Sequence, residues 1–233
     1  EDYFTFGYVP EPKTIYSGVY KLRPGWSLLY DLRAGGQPQL AQYWDLRYDQ
    51  VGDVPADSRV LEEELVARLS RAVRAEMRKL STDCAEEYPM AVQLAGCEAE
   101  MIADVPLGAF LSGGVDSSAV VAMMARAATV PVKTCSIAVD EPAYDESAYA
   151  RQVAALLGTE HAENRVKVDD LTLLDQLVDT YDEPYADSSA IPTYRLCAAT
   201  RGHVKVALSG DGGDENFAGY RRYRLFAGEE AVR

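Results

Sequence analysis

Short apolar segments alternate with helical patterns through the second half of the chain, and this alternation restricts the fold more than any other feature. Apolar runs of strand length occur at 107–111, 132–139 and 204–208. Apolar residues at three- and four-residue spacing fill the intervals, and they predict helices at 117–128, 145–157, 171–181 and 192–201. Strand, helix and strand in turn predict an α/β fold, a parallel sheet with helices on its faces. Ligands of such sheets bind in the loops that follow the strands.

The first 48 residues have a different pattern and predict a separate region. Prolines and glycines separate short aromatic and β-branched runs such as Ser27–Tyr30, which indicates short strands and turns. The pattern then becomes that of an amphipathic helix, with Ser58 as its N-cap and apolar residues continuing to Met77. We therefore predict one region at 1–52 and a second at 53–233.

Residues 79–100 fit neither pattern. Their apolar residues follow no sustained helix or strand spacing, and they include Pro89 and Gly96. One basic residue against five acidic residues gives this stretch a net charge of −4. Its two cysteines, Cys84 and Cys97, are expected to be free thiols, although they could instead close a hairpin. We interpret 79–100 as an inserted loop.

Charge and cysteine content argue against several classes of function. Lys plus Arg 23 against Asp plus Glu 37 gives −14, which disfavours a nucleic-acid surface because phosphate contacts need clustered basic residues. Charged residues or glycines interrupt every apolar run before 18 residues, so we expect no membrane span. Four cysteines without a C-x-x-C pair argue against a zinc site or a disulfide framework, and a cytoplasmic location is expected. Because the chain begins with Glu1 and not with Met, we expect a fragment of a longer protein.

The first of two glycine-rich loops, Leu111–Ser118 with the sequence LSGGVDSS, lies between an apolar strand and a helix. Gly113 and Gly114 let the backbone turn sharply and approach a ligand, while N–H groups of the helix start and three Ser hydroxyls suit an anion. A carboxylate repels phosphate unless a cation lies between them, so Asp116 predicts Mg²⁺. No Gly-Lys dipeptide occurs, which excludes a Walker A loop. A tight turn without a ligand is the alternative.

The second loop, Ser209–Glu215 with the sequence SGDGGDE, follows the strand at 204–208. Three glycines and three acidic residues do not form a packing element, and taken alone they would equally suit a solvated acidic turn. Beside the first loop, they supply carboxylates for Mg²⁺ on a triphosphate and bring Ser209 and Gly210 close to a nucleotide.

The string Ser112–Ser118 resembles the pyrophosphate loop of the adenylate-forming N-type ATP pyrophosphatases. Further motifs stand in the order found in glutamine-dependent asparagine synthetases: DVPLGAFL at 104–111, YDES at 144–147, GTEH at 158–161, DEP and ADSS within 182–189, and SGDGGDE at 209–215. The resemblance covers about 101–224, and 1–48 is similar to the end of that family's glutaminase domain. Gly213, Asn216 and the run YRRYR at 220–224 are similar to amidotransferases of exopolysaccharide and exosortase systems.

This resemblance implies a Rossmann-like, adenine nucleotide alpha hydrolase-like synthetase domain at 53–233, incomplete at its C-terminus. It implies that 1–52 is the β-rich end of an N-terminal nucleophile glutaminase (class II amidotransferase) domain. The implied enzyme is a carbon–nitrogen ligase that activates aspartate with ATP as β-aspartyl-AMP, after which ammonia gives asparagine and AMP. The implied cofactors are ATP and Mg²⁺. The implied partners are aspartate and glutamine-derived ammonia, with a homodimer as a further candidate; no nucleic acid and no membrane are expected.

Carried over residue by residue, the resemblance implies three groups of site residues. Those that would hold pyrophosphate and Mg²⁺ are Ser112, Gly113, Gly114, Asp116, Ser117 and Ser118. Those that would flank or cover the adenosine of ATP are Leu111, Ile137, Ser209 and Gly210. The implied catalytic residues are Asp116, Asp211 and Asp214, of which Asp116 and Asp214 would hold the metal.

Two departures from the family leave alternatives open. Residue 1 is Glu and the first cysteine is Cys84, so this chain is not expected to hydrolyse glutamine by itself. The family's helical continuation, with a lysine thought to act on the intermediate, would lie beyond Arg233. One alternative is an adenylating amidotransferase that acts on another carboxylate, of polysaccharide or β-lactam type. A catalytically incomplete nucleotide-binding fragment is the other.

Three further groups of polar residues are possible site residues by their chemistry. His161 follows a helix-ending glycine and is expected at the surface or as a cap. The arginines at 221, 222 and 224 are expected on a solvated helix face. Asp187–Ser189 lie near the substrate pocket that the resemblance implies and are weaker site candidates.

Overall fold

The computed structural model describes residues 1–33, 35–46, 57–79, 106–167 and 171–232. Apart from Lys79, the predicted insertion at 79–100 lies outside the described residues. In chain order the elements are α1 (Asp2–Phe6), β1 (Trp26–Leu29), β2 (Gln39–Gln42), α2 (Ser58–Lys79), β3 (Leu107–Phe110), α3 (Val115–Ala127), β4 (Lys133–Val139), α4 (Ser147–Leu157), β5 (Glu160–Val166), a 3₁₀ turn (Leu171–Leu173), α5 (Leu174–Tyr181), α6 (Ala190–Thr200), β6 (Val206–Leu208), α7 (Gly213–Phe217) and α8 (Arg221–Val232).

The chain divides into two compact units. The first combines Glu1–Ala56 with Asp170–Ile191, and the second combines Asp57–Asp169 with Pro192–Arg233. The sequence pattern placed 170–191 in the region at 53–233, whereas the backbone of this segment packs with the N-terminal residues. The identity of 1–52 as part of a glutaminase domain stays a prediction.

In the first unit, Glu183 connects distant parts of the chain. Its carboxylate accepts hydrogen bonds from Lys21 Nζ at 2.6 Å and from the backbone N–H of Ile15 at 3.3 Å. The backbone N–H of Ala186 donates to Gly7 O at 2.8 Å. Lys21 also donates to Val9 O at 2.7 Å. The contacts of Glu183 and of Ala186 join segments more than 150 residues apart, and a search for apolar periodicity does not detect them.

The second unit is built on a parallel sheet with the strand order β5-β4-β3-β6. Gly108 in β3 pairs with Lys133 in β4 on one side and with Ala207 in β6 on the other. The predicted α/β fold is therefore confirmed, and the three apolar runs form β3, β4 and β6. Among the described helices, none has both the length and the apolar character that crossing a bilayer requires.

Three helices and the sheet contribute to one apolar core, with α3 and α4 packed on the strands and α2 packed on α3. The buried residues of this core are Val73 and Met77 from α2, Ala109 and Leu111 from the β3 region, Val121 and Met124 from α3, Val132 before β4, and Ala150 and Ala154 from α4. Leu111, Val121 and Met124 each expose at most 1% of their surface. Burying a side chain of this size stabilises a fold by about 1.5–3 kcal/mol. The core thus anchors the strand and the helix on either side of the first glycine-rich loop.

The sequence pattern did not predict β5. Its sequence, EHAENRV, contains five polar residues, and strand propensity alone gives it little support. It nevertheless pairs with β4 along its whole length, from Lys133↔Glu160 to Val139↔Val166. Among the described strands β5 lies at the edge of the sheet, where charged side chains are common, and its pairing with β4 accounts for its strand conformation.

The expectation that His161 is a surface or capping residue is wrong. Its Nδ1 lies 2.9 Å from Thr134 Oγ1, and its Nε2 lies 3.2 Å from Ser136 Oγ. Thr134 is fully buried and also contacts the Thr159 hydroxyl at 2.8 Å. His161 therefore belongs to a hydroxyl network between β4 and β5, and this partial burial lowers its pKa below the ordinary value of 6.5.

We expect this network to make stability depend on pH. A lowered pKa means that the unfolded chain binds the His161 proton more readily, so the contribution of neutral His161 is complete above pH 6.5. That contribution falls as the pH drops below 6.5 towards the lowered pKa. The difference in free energy of unfolding between wild type and His161→Gln should therefore shrink between pH 7.5 and about pH 5, as measured by urea unfolding.

The second histidine of the chain provides the control. His203 is exposed in the turn after α6, and His203→Gln should leave the pH dependence as it is in the wild type. If His161→Gln differed from the wild type by the same amount at every pH, burial of this imidazole would not influence its protonation.

Candidate functional site

Both glycine-rich loops follow strands that are neighbours in the sheet. β3 ends at Phe110 and is followed by the first loop and α3, whereas β6 ends at Leu208 and is followed by the second loop and α7. β3 and β6 pair in parallel, so both loops emerge at the same edge of the sheet. The chain runs from β3 outward to β4 and β5 and then returns to the opposite side of β3 with β6. Crevices at such a reversal of strand order are where ligands bind in α/β sheets.

The two loops are in direct contact. A Cβ added to Gly210 would lie 2.6 Å from the backbone N of Ser117 and 2.9 Å from the carbonyl carbon of Asp116. A Cβ added to Gly213 would overlap the carboxylate of Asp116. Glycine is required at position 210 because the neighbouring backbone atoms leave no room for a side chain, whereas a side chain at position 213 would displace the Asp116 carboxylate. The structure therefore brings together Asp116 and Ser117 of the first loop with Gly210 of the second.

Hydrogen bonds fold the first loop into a compact turn. The hydroxyls of Ser112 and Ser117 lie 3.0 Å apart, and the backbone N–H of Gly114 donates to Ser112 Oγ at 3.2 Å. Gly113 has a left-handed φ of +87°, and a Cβ there would lie 2.5 Å from the backbone N of Ala150 in α4. Nothing in the sequence pattern indicated that α4 packs against this loop, because the contact is made by backbone atoms.

The start of α3 leaves polar groups that suit an anion. Gly114 is the N-cap residue, and no side chain caps the first turn. The hydroxyl of Ser118 is buried and has no hydrogen-bond partner in the described residues. A buried hydroxyl without a partner is energetically costly, and a helix N-terminus attracts negative charge. A phosphate group could accept hydrogen bonds from both the N–H groups at the start of α3 and the Ser118 hydroxyl.

The second loop carries exposed and partly buried carboxylates. Ser209 Oγ donates to Asp211 Oδ2 at 3.0 Å, and Asp211 is exposed. Asp214 lies in the first turn of α7 and is partly buried. Burial raises the pKa of Cys197 on α6, and the negative charge of Asp211 raises it further. This electrostatic influence indicates that α6 lies close to the loop, a neighbour that the sequence pattern did not reveal.

Asp116 and Asp214 suit Mg²⁺, which binds phosphates and water as well as carboxylates, better than they suit a metal ion held by protein ligands alone. Within the described ranges, no group of three or more His, Cys, Asp or Glu residues converges as a metal site. Mg²⁺ usually needs only one or two carboxylates together with substrate phosphates and water. The Asp116 carboxylate packs against Gly213, the residue before Asp214, so two contacting elements supply the two carboxylates. The donor set is compatible with Mg²⁺ bound to a phosphorylated substrate.

Leu111 and Ile137 occupy different environments. Leu111 is 1% exposed, its side chain belongs to the core, and its N–H donates to Cys135 O at 2.9 Å. Only its backbone can therefore face a ligand. Ile137 is partly buried in β4, which continues beyond the end of β3, because Phe110 pairs with Cys135 and β4 extends to Val139. Ile137 thus projects past the last residue of β3.

Asp187–Ser189 form a turn within the first unit. Asp187 accepts hydrogen bonds from Ser189 N at 2.8 Å, Ser189 Oγ at 2.7 Å and the Tyr185 hydroxyl at 3.0 Å. These bonds, led by that from the Ser189 hydroxyl, lower the pKa of Asp187. Both carboxylate oxygens of Asp187 are therefore engaged in organising the turn itself.

Comparison with known proteins identifies relatives of the chain. The family model described as asparagine synthase matches residues 95–231. A Methanocaldococcus jannaschii protein provisionally named glutamine-hydrolyzing asparagine synthetase 2 is 36% identical over 223 residues, which cover 94% of the chain and 38% of the relative. The glutamine-hydrolyzing asparagine synthetase 1 of Bacillus subtilis is 31% identical over 225 residues, with coverages of 96% and 31%.

A relative with a different name is similar over nearly the same span. Amidase chyE of Penicillium rubens is 30% identical over 236 residues, which cover 92% of the chain and 30% of that protein. The chain therefore spans between 30% and 38% of the length of these three relatives.

Proposed function

The chain belongs to the asparagine synthase family, and from this premise we propose that it forms the ATP-binding part of an amide-forming ligase. Contact between the two glycine-rich loops is the observation that carries the proposal. Gly210 packs on the backbone of Asp116 and Ser117 at the point where the strand order reverses. A nucleotide placed there would meet the N-terminus of α3 and the second loop together.

We assign the following roles to the residues of the site. The first turn of α3, with Ser112, Ser117 and Ser118, would hold the phosphates that leave as pyrophosphate. The backbone of Leu111, the side chain of Ile137 and the segment Ser209–Gly210 would contact adenosine. Asp116 and Asp214 would hold Mg²⁺, which neutralises phosphate charge when it is bound. Asp211 would face the activated acceptor.

The proposed reaction has two steps. The side-chain carboxylate of aspartate attacks the α-phosphorus of ATP, the bond to the β-phosphate oxygen breaks, and β-aspartyl-AMP and pyrophosphate form. Ammonia then attacks the acyl carbon, loses a proton and displaces AMP, which leaves asparagine. A loose phosphoryl transition state needs positioning and charge neutralisation more than a protein nucleophile. Helix N–H groups and hydroxyls, together with Mg²⁺ held by the two carboxylates, would meet that need.

A second candidate uses the same activation on a different carboxylate. The similarity to amidase chyE favours it, because that protein has a different name although it matches nearly the same span of the chain. The acceptor in this case would be a carboxylate other than that of free aspartate, and the residues that bind ATP would keep their roles.

Exchange of labelled pyrophosphate into ATP distinguishes these candidates. We expect exchange that requires Mg²⁺ and aspartate, and no exchange with glutamate or succinate as matched controls. Exchange with another acid but not with aspartate would support the second candidate. Binding of ATP without exchange in the presence of any acid would contradict both and identify a catalytically incomplete nucleotide-binding segment.

A further inference from the structure

The segment that joins α7 to α8 is folded back on itself, and the proposed reaction assigns it no role. The phenol hydroxyl of Tyr220 donates to Glu215 Oε1 at 2.6 Å. Arg222, expected on a solvated helix face, is exposed, but its guanidinium carbon lies 4.4 Å from the centre of the Tyr220 ring. A guanidinium at this distance from an aromatic face is attracted to it. The ring of Tyr220 is thus held on one side by Arg222, while its hydroxyl reaches back to α7.

α7 depends on contacts outside itself. It spans only five residues, too few for a helix that is stable by its own hydrogen bonds. It ends in a tight turn, with Ala218 at a left-handed φ of 54° and the N–H of Gly219 donating to Asp214 O at 2.9 Å. A Cβ at Gly219 would overlap Asp214 Oδ1. The carboxylate of Asp214 therefore lies directly against the turn that leads to Tyr220.

We propose that Tyr220 is a positioning residue for the carboxylates of the site. By holding Glu215, it fixes α7, and α7 in turn places Asp214 and the Gly213 backbone that packs on Asp116. The bond from Tyr220 to Glu215 is charge-assisted and short, which suits it to hold a helix of one turn. The consequence for metal and nucleotide rests on the proposed function, whereas the consequence for α7 does not.

Tyr220→Phe removes the hydroxyl and keeps the ring beneath Arg222. We expect the backbone amides of Asn216 and Gly219, which donate to Gly212 O and Asp214 O, to exchange with solvent about tenfold faster. We also expect half-maximal pyrophosphate exchange to require about tenfold more Mg²⁺, with the KM for aspartate unchanged. Native-state hydrogen exchange and a Mg²⁺ titration measure the two effects.

Two matched sets of variants separate the hydroxyl from general destabilisation. Tyr223→Phe alters the neighbouring ring, 5.9 Å from that of Tyr220, and should change neither measurement. Glu215→Gln keeps an oxygen acceptor without the charge and should lose part of the protection of α7, whereas Glu215→Ala should resemble Tyr220→Phe. The double variant Tyr220→Phe/Glu215→Ala should add little to either single change, because both remove the same bond.

Each result decides a separate part of the inference. Unchanged amide exchange in Tyr220→Phe would overturn the role of Tyr220 in holding α7. Faster amide exchange with an unchanged Mg²⁺ requirement would overturn the positioning of the carboxylates and leave the proposed function intact. If the wild-type protein showed no pyrophosphate exchange with any acid, the proposed function would fail. Hydrogen exchange of the α7 amides in Tyr220→Phe would then be the test of whether Tyr220 holds this helix.

Discussion

Replacing Asp116 with asparagine should lower the rate of ATP–pyrophosphate exchange by about 10²–10³-fold, the loss typical of removing one preorganised electrostatic contact. Asparagine has nearly the same volume, so the packing of this side chain on Gly213 should persist. What disappears is a negative charge at the start of α3, where a cation is needed between carboxylate and phosphate. Initial exchange rates at saturating aspartate and several Mg²⁺ concentrations measure the effect.

Asp179→Asn is the matched control for this change. Asp179 is exposed on α5, in the first unit, and its substitution should leave the exchange rate within about twofold, as expected for a surface charge. Thermal unfolding of both variants checks that the fold is retained. If Asp116→Asn exchanged pyrophosphate as fast as the wild type, Asp116 would have no part in the reaction, and the assignment of the first loop as the phosphate site would be wrong.

Substituting Gly210 with alanine should separate the two loops. The added methyl group would lie 2.6 Å from Ser117 N and 2.9 Å from Asp116 C, and both are backbone atoms that cannot rotate away. We expect an overpacking penalty of about 1–3 kcal/mol in the free energy of unfolding. A misplacement of about 1 Å at a reacting centre lowers rates by about 10²-fold, and we expect a similar loss of pyrophosphate exchange.

Gly202→Ala shows what the same chemical change does where space exists. A Cβ at Gly202 would lie 3.6 Å from Ala199 O, an ordinary contact distance, so stability and exchange should stay close to those of the wild type. Calorimetric titration with ATP and urea unfolding of both variants provide the comparison. Normal ATP affinity in Gly210→Ala would show that close packing of the loops is not needed for the nucleotide.

Local pattern was sufficient to predict most of the second unit. The apolar runs that form β3, β4 and β6 are short and bounded by glycine, proline or charge, and the helices between them repeat at three- and four-residue spacing. Both patterns arise because an element buries apolar side chains against the core, and the spacing of those side chains is visible in the sequence. The two glycine-rich loops are also visible in sequence, because their residues are contiguous.

Elements that depend on a distant partner could not be predicted in this way. β5 is polar and takes its conformation from pairing with β4, and His161 is drawn into the network by Thr134 and Ser136 on that neighbouring strand. The segment 170–191 joins the N-terminal residues through polar contacts such as that of Glu183 with Lys21. A single polar contact between remote segments leaves no repeating pattern in the sequence and no trace in the composition, so neither predicts it.

The sequence by itself determined the fold class, the family resemblance and the two loops in which chemistry should be sought, because each depends on residues that are close together in the chain. Only the tertiary structure decided that these loops touch. That contact depends on the parallel pairing of β3 with β6 and on glycine at position 210, where any side chain would collide with the backbone of Asp116 and Ser117. It also decided that Leu111 offers its backbone and not its side chain, because the core needs that side chain.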